Sequence, residues 1–304
     1  MNDPWDCIVV GAGAAGLSAA LVLGRARRRT LVIDAGVQSN LPANGIGGLL
    51  GHNGRPPAEL YELGRAELAD HPTVELVGGE VIGGARDGAD FVLELADGHH
   101  ERAQRVLLAS GMAYRPPELP GVAERWGRSV FHCPFCHGWD VRDQPLGVLD
   151  RGATGVMRAL LLKAWTDDVT VYAGEPDAFT PEERARLATA GITIEPRPVI
   201  GLRGPGETLT SVVLADGEER ACGGLLVPVT LAQRSSLAFQ LGAATGEPGP
   251  HGAEALAVDV MHETSVPGLY AAGDVQTHAP SVANAIADGS NAAAAIVRDL
   301  MWSR

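Results

Sequence analysis

The sequence predicts an α/β chain of two Rossmann-like, three-layer halves. Three observations carry this. An apolar strand, WDCIVV, runs into GAGAAG, then a small-residue helix LSAALVLGRA and a second strand TLVID. The same order recurs from residue 146 as LGVLD, RGATG, VMRALLLKAW and VTVY. Near the C-terminus LYAAGD is a strand that delivers the chain towards a long helix of small residues, SVANAIADGSNAAAAIVRDLM. Strand, glycine turn, helix, strand is the opening of a βαβ unit, in which short apolar runs bounded by glycine become parallel strands and the helix packs back on the sheet.

The intervening segments follow the same logic. PPAELYELGRAELAD is a helix with proline at its start, and VELVGG, FVLEL and RVLLAS are strands separated by glycine-containing turns. Prolines and glycines break the pattern in GMAYRPPELPGV, which places a boundary near residue 115. Beyond the second βαβ unit, PEERARLATAG is a helix capped by Thr180 with Pro181 behind it, and ITIEP, TSVVLADGEE and GLLVPV are strands.

Charge narrows the function. A formal net charge of −13 repels nucleic acid and anionic lipid, and the one basic cluster, Arg25 with Arg27, Arg28 and Arg29, reads as the solvated end of the first helix. No nucleic-acid partner, membrane span or targeting signal is expected, and the expected location is cytoplasmic. Of the four cysteines, Cys7 and Cys222 stand alone in apolar surroundings as small buried hydrophobes, while Cys133 and Cys136 form a pair.

Gly11, Gly13 and Gly16 spell GxGxxG between a strand and a helix, with Ala14 and Ala15 inside the motif. The first glycine permits a tight turn, the second a close approach to a pyrophosphate, the third close helix packing. Asp34, followed by Ala35, ends the next strand where a carboxylate can accept bonds from an adenosine ribose. Because Asp34 repels a 2′-phosphate, this half is expected to hold FAD or NAD. Gly273 and Asp274 offer a second acidic turn ahead of a small-residue helix.

The pair sits in FHCPFCHGWD. Zinc would require two further ligands, and neither Cys7 nor Cys222 has a companion at the right spacing; a CxxCH haem site would require export. That leaves a redox dithiol, whose sulfurs lie one turn apart at a helix start with amides favouring the thiolate, or a pair of inert thiols. His137 is a candidate proton carrier or a capping residue, and His132 is a weaker candidate. Phe131, Phe135 and Trp139 line an apolar mouth or pack the core.

GAGAAGLSAA, then Cys-x-x-Cys, then LYAAGD, in that order over nearly the whole length, resemble the low-molecular-weight thioredoxin reductases. The resemblance implies a FAD domain built from residues 1–114 and 241–304 and an inserted NAD(P)-binding-like domain, 115–240, that carries the cysteines. It implies FAD held by Gly11, Gly13, Gly16, Asp34 and Asp274, and a homodimer. Ala279, Pro280 and Ser281 match the family poorly, so only backbone contacts near Val282 are carried over. It also implies that Cys133 exchanges with substrate and Cys136 communicates with the flavin.

The second glycine turn departs from the pattern. Asp150 stands where the first glycine belongs, followed by Gly152 and Gly155, so the motif reads DxGxxG; a register using Gly147 instead would put that glycine inside the strand. A carboxylate under a pyrophosphate costs geometry and repulsion, and Glu175 and Asp177 stand where the family places arginines for the 2′-phosphate. Both features count against NADPH. With Cys-x-x-Cys-His, the chain is also similar to the dithiol oxidases that close disulfides in small natural products of the gliotoxin and holomycin type. The resulting expectation is a FAD-dependent dithiol oxidase. A small-molecule dithiol, deprotonated with help from His137, attacks the oxidised pair at Cys133; electrons pass through Cys136 and FAD to O2, releasing H2O2. The alternative is an NADPH-dependent thioredoxin or disulfide reductase, and a third reading is a flavin-bound redox sensor.

Overall fold

Alternation along the first strands decides the layering. In the strand Trp5–Val10, Cys7 and Val9 join a core with Ala19, Ala20 and Leu23 of the helix Ala14–Arg25. Ile8 and Val10 join a second core with Leu31, Ile33 and Phe91. Successive side chains of a strand point to opposite faces, so a strand apolar at every position is one buried on both sides. The fold is a Rossmann-type α/β architecture, as the sequence predicts.

The computed structural model describes residues 3–247, 254–277 and 279–302. Two compact units emerge. The first comprises Met1–Leu41, Pro57–Tyr114 and Thr230–Arg304, the second Pro42–Pro56 and Arg115–Val229. The loop Pro42–Pro56 thus belongs with the second unit although the chain around it belongs with the first.

In the first unit, Val74–Gly78, Thr30–Asp34, Trp5–Val10 and His100–Leu108 lie side by side in that order, all parallel. His100–Leu108 is shared lengthwise: its early residues pair antiparallel with Asp90–Leu95, its last three parallel with Leu269–Ala271. Small residues then set how closely helices approach. A Cβ on Gly16 would lie 1.8 Å from the Gly11 carbonyl oxygen, and one on Gly289 would lie 2.0 Å from that of Ala15. The helix Val282–Trp302 therefore packs directly against the backbone of Ala14–Arg25, with Ala292, Ala293 and Ile296 buried between them.

The second unit has a five-stranded parallel sheet in the order Thr193–Glu195, Val169–Tyr172, Leu146–Leu149, Gly224–Leu226, Val130–Phe131. The helices Gly152–Leu162 and Pro181–Thr189 cover it, the latter started by a full capping box between Thr180 and Glu183. Cys7 and Cys222 are both buried; burial raises both thiols, that of Cys222 to about 12, so neither supplies a thiolate near neutrality.

Candidate redox and nucleotide sites

Cys133 and Cys136 form a disulfide with a Cα–Cα separation of 5.4 Å. The strand Val130–Phe131 delivers the chain to it, and Cys133 caps a single helical turn, Pro134–His137. One turn carries little dipole, so the stabilisation of a thiolate expected from a helix start is modest here. Glycines let the backbone close around the pair. A Cβ on Gly138 would sit 2.6 Å from the Pro134 carbonyl oxygen, and one on Gly47 would sit 2.5 Å from that of Cys136, so the loop Pro42–Pro56 lies directly on the redox turn.

His137 is not a surface cap. Its ring stacks on Phe131 at 5.6 Å, and both ring nitrogens are buried without a hydrogen-bond partner. Burial lowers its pKa from the ordinary 6.5, against a weaker upward pull from the backbone of Cys133 and Gly127 and from Asp140. The imidazole is thus neutral near pH 7. The sign of its effect on stability follows. The unfolded chain binds a proton below about 6.5 that the folded chain resists, so the contribution is complete above 6.5 and is lost as pH falls towards the folded value. His137→Phe keeps a ring on Phe131 and removes the titration. Thermal melts between about pH 7.5 and 5.5 should show a shallower acid-side fall in Tm for this variant than for wild type; parallel falls would contradict the buried neutral histidine.

The aromatic residues divide. Phe131 is wholly buried, whereas Phe135 and Trp139 are 70% and 65% exposed beside the pair. Phe135 leans edge-on against Trp165, and the Arg142 guanidinium lies 4.0 Å over the Trp139 ring. His132 stacks on Trp126 at 5.8 Å.

The first unit gathers the predicted nucleotide residues. Gly11 has φ +103°, and a Cβ there would meet the Ala109 carbonyl oxygen at 2.5 Å. Gly13 caps the helix that begins with Ala14 and Ala15, and a Cβ on it would meet only the Gln38 side chain, at 3.6 Å, so its backbone is open. Asp34 ends its strand and accepts from the amides of Ala12 and Gly36, both at 3.2 Å, from Gln38 at 3.0 Å and from Arg65 at 2.6 Å. Burial works to raise its carboxyl, but the Arg65 bond and the two amides outweigh it and hold the group below the ordinary carboxylate range. Ala35 follows at the mouth of this turn. Gly273, at φ +78°, brings the turn Gly273–Gln276 against Ala15. Asp274 there accepts from the Tyr114 hydroxyl at 2.8 Å; burial raises its carboxyl, partly offset by that bond and by Arg234. Val282 is the first residue of the last helix. Gln38, Arg65 and Tyr114 escape the sequence reading, because their signal is only spatial. Open amides suit a diphosphate, and one ionised and one desolvated carboxyl suit sugar and polyol hydroxyls, so these residues fit FAD.

The second turn keeps two of its three glycines, with Asp150 in place of the first. Gly152 takes φ +59° with no atom within 4 Å of a Cβ built on it, and Gly155 brings its helix onto the end of the strand, its Cβ position 3.0 Å from the Asp150 carbonyl carbon. The Asp150 carboxylate is compensated within the turn: it pairs with Arg158 of the following helix, both side chains largely buried, and accepts from the Arg151 amide at 2.8 Å. Gly147 is a packing glycine in mid-strand, with Leu225 and Tyr172 each 2.7 Å from its Cβ position. The turn fits a dinucleotide.

A model of the pyridine nucleotide-disulphide oxidoreductase family matches residues 5–289, a span that holds both glycine turns, the cysteine pair and Asp274. The chain belongs to the pyridine nucleotide-disulphide oxidoreductase family. Thioredoxin reductase sirT of Leptosphaeria maculans is 30% identical, covering 96% of this chain and 93% of its own. Thioredoxin reductase tcpT of Claviceps purpurea is 29% identical, covering 93% and 90%. A solved oxidoreductase from Agrobacterium tumefaciens is 36% identical, with a TM-score of 0.91 over 99% of this chain and all of its own. Within the pyridine nucleotide-disulphide oxidoreductases this is a thioredoxin-reductase-like FAD flavoprotein with a redox-active disulfide.

Two expectations are thereby corrected. Full-length relatives are named as reductases and the family for its pyridine nucleotide, which overturns both the dithiol oxidase passing electrons to O2 and the case against NADPH. The Asp150 charge is compensated by Arg158, so it does not repel a phosphate as a lone carboxylate would.

Proposed function

We propose that the protein is an NADPH-dependent, FAD-containing disulfide reductase of the thioredoxin reductase type. The observation that carries this reading is the Cys133–Cys136 disulfide in a chain that keeps two glycine-turn βαβ units, the Asp150 carboxylate of the second being paired with Arg158. Gly11, Gly13, Ala14, Ala15 and Gly16 hold the FAD diphosphate; Asp34, beside Ala35, meets the adenosine ribose; Gly273, Asp274 and the amide of Val282 hold the flavin end. Gly152 and Gly155 receive NADPH.

Bound FAD supplies the two-electron relay between NADPH and the disulfide. The remaining steps belong to this chain's own groups. The reduced pair carries two thiols, and the Cys133 thiolate attacks a sulfur of the substrate disulfide, expelling one substrate thiolate and forming a mixed disulfide. Cys136 then attacks Cys133, restores the internal disulfide and releases the second substrate thiol. His137 is assigned the proton transfer between cysteine thiol and leaving thiolate, which requires its buried ring nitrogens to come within hydrogen-bond reach of the sulfurs when the pair is reduced. In total NADPH, a proton and one disulfide become NADP⁺ and two thiols.

The exposed rings of Phe135 and Trp139 favour a small molecule with an apolar face as the disulfide substrate. The family resemblance supports a homodimer, and dependence on NADPH supports a cytoplasmic location. Among the described residues no helix is long and apolar enough to cross a membrane. Anaerobic mixing with NADPH should bleach the flavin absorbance; a flavin indifferent to NADPH would overturn the proposal.

A further inference from the structure

The NADPH reading leaves one requirement open, because a 2′-phosphate needs a cation and the sequence after the strand Val169–Tyr172 offers Glu175 and Asp177. Three arginines surround this edge of the second unit. Arg158 is committed to Asp150. Arg184 donates to the carbonyl oxygens of Pro176 and Phe179, so its guanidinium holds the loop itself. Arg151 differs. It lies inside the glycine turn, as the cap of the helix Gly152–Leu162, and its guanidinium reaches Glu175 at 2.9 Å. Both members of that pair are exposed, 68% and 52%, so a stronger anion can displace the carboxylate at little cost.

The strands that carry the pair are neighbours, with Leu149 opposite Tyr172. In a βαβ nucleotide fold the adenosine ribose lies across the ends of two such strands, and the residue just beyond the second meets its 2′ position. Arg151 lies two residues beyond the first of these strands and Glu175 three residues beyond the second, and their side chains meet.

We propose that Arg151 is the residue that reads the 2′-phosphate of NADPH and that Glu175 is its resting partner, displaced on binding. This rests on the reading of the second glycine turn as the NADPH site. Arg151 does from the turn what arginines beyond the second strand do elsewhere in the family. Glu175 sets the discrimination: left on Arg151 it competes with the phosphate, and turned to the ribose it accepts the hydroxyls of NADH.

The test is equilibrium binding to the FAD-loaded protein, measured by titration calorimetry with 2′,5′-ADP and with 5′-ADP, which carry or lack the phosphate in question. Arg151→Gln should weaken 2′,5′-ADP by about 10- to 100-fold, the loss of a charge-assisted contact, and change 5′-ADP by less than about threefold. Arg151→Lys, which keeps a point charge without the planar fork, should fall between. Glu175→Gln should tighten 2′,5′-ADP several-fold. Flavin absorbance and melting temperature, unchanged in each variant, show that the fold is intact, as expected for two exposed side chains. If Arg151→Gln binds 2′,5′-ADP as tightly as wild type, the assignment of Arg151 is overturned while the NADPH site stands. If wild-type protein binds neither nucleotide nor NADPH, the reading beneath it is overturned instead.

Discussion

Cys133→Ser is expected to abolish NADPH-driven reduction of a chromogenic disulfide such as 5,5′-dithiobis(2-nitrobenzoate), by at least about three orders of magnitude. The flavin should nevertheless still be bleached by NADPH, because the nucleotide turns lie elsewhere in the chain. The magnitude follows because Cys136, left alone, has no partner sulfur with which to close the internal disulfide and complete a turnover. The chain has four cysteines, and outside the pair both are buried with thiols raised far from neutrality. Cys136→Ser fails differently. Cys133 can still attack substrate, but nothing resolves the product, so intact-protein mass spectrometry should find a mixed disulfide on Cys133. Turnover by Cys133→Ser at a tenth of the wild-type rate or more would contradict the assignment of exchange to this sulfur.

Gly11→Ala is expected to yield protein with less than about a tenth of the wild-type flavin, read as the ratio of visible to ultraviolet absorbance. Two costs fall on one methyl group. The backbone there has φ +103°, which L side chains rarely adopt, and a Cβ would lie 2.5 Å from the backbone oxygen of Ala109, just past the end of the adjoining strand. Strain of this kind costs about 1–3 kcal/mol before the clash is counted. The contact is with backbone rather than with a yielding side-chain tip, so the glycine turn itself must shift, and with it the amides that face the diphosphate. The second unit has its own core around Phe131, Val148 and Val171, so the Cys133–Cys136 disulfide should still form and titrate as in wild type. Full flavin content in Gly11→Ala would show that the turn does not hold the cofactor.

The glycine turns were legible in the sequence because their physics is local. A glycine between a strand and a helix is required by a turn or a close approach, and Gly11, Gly16 and Gly155 all meet backbone that a Cβ would strike. The charge on the second turn was not legible. Asp150 announces its sign in the sequence, but Arg158 lies two helical turns further on, and only the fold shows the two side chains paired and largely shielded from solvent. Asp34 was found as a strand-end carboxylate, while its partners Gln38 and Arg65 come from a loop and a distant helix. Phe131, Phe135 and Trp139 looked alike as a cluster and separate only by exposure. The direction of electron flow was the deepest gap. A Cys-x-x-Cys-His pair is a reversible couple whose direction depends on what it exchanges with, and nothing in five residues encodes that.

Anaerobic stopped-flow spectroscopy of the FAD-loaded protein tests the central claim most directly. One syringe delivers NADPH, or in a parallel experiment a small dithiol, and the flavin absorbance is followed. NADPH is expected to bleach the flavin within the turnover time and a subsequent pulse of disulfide to restore its colour, whereas Cys133→Ser bleaches without recovering. A flavin that a dithiol reduces rapidly and that stays oxidised under excess NADPH would contradict that claim.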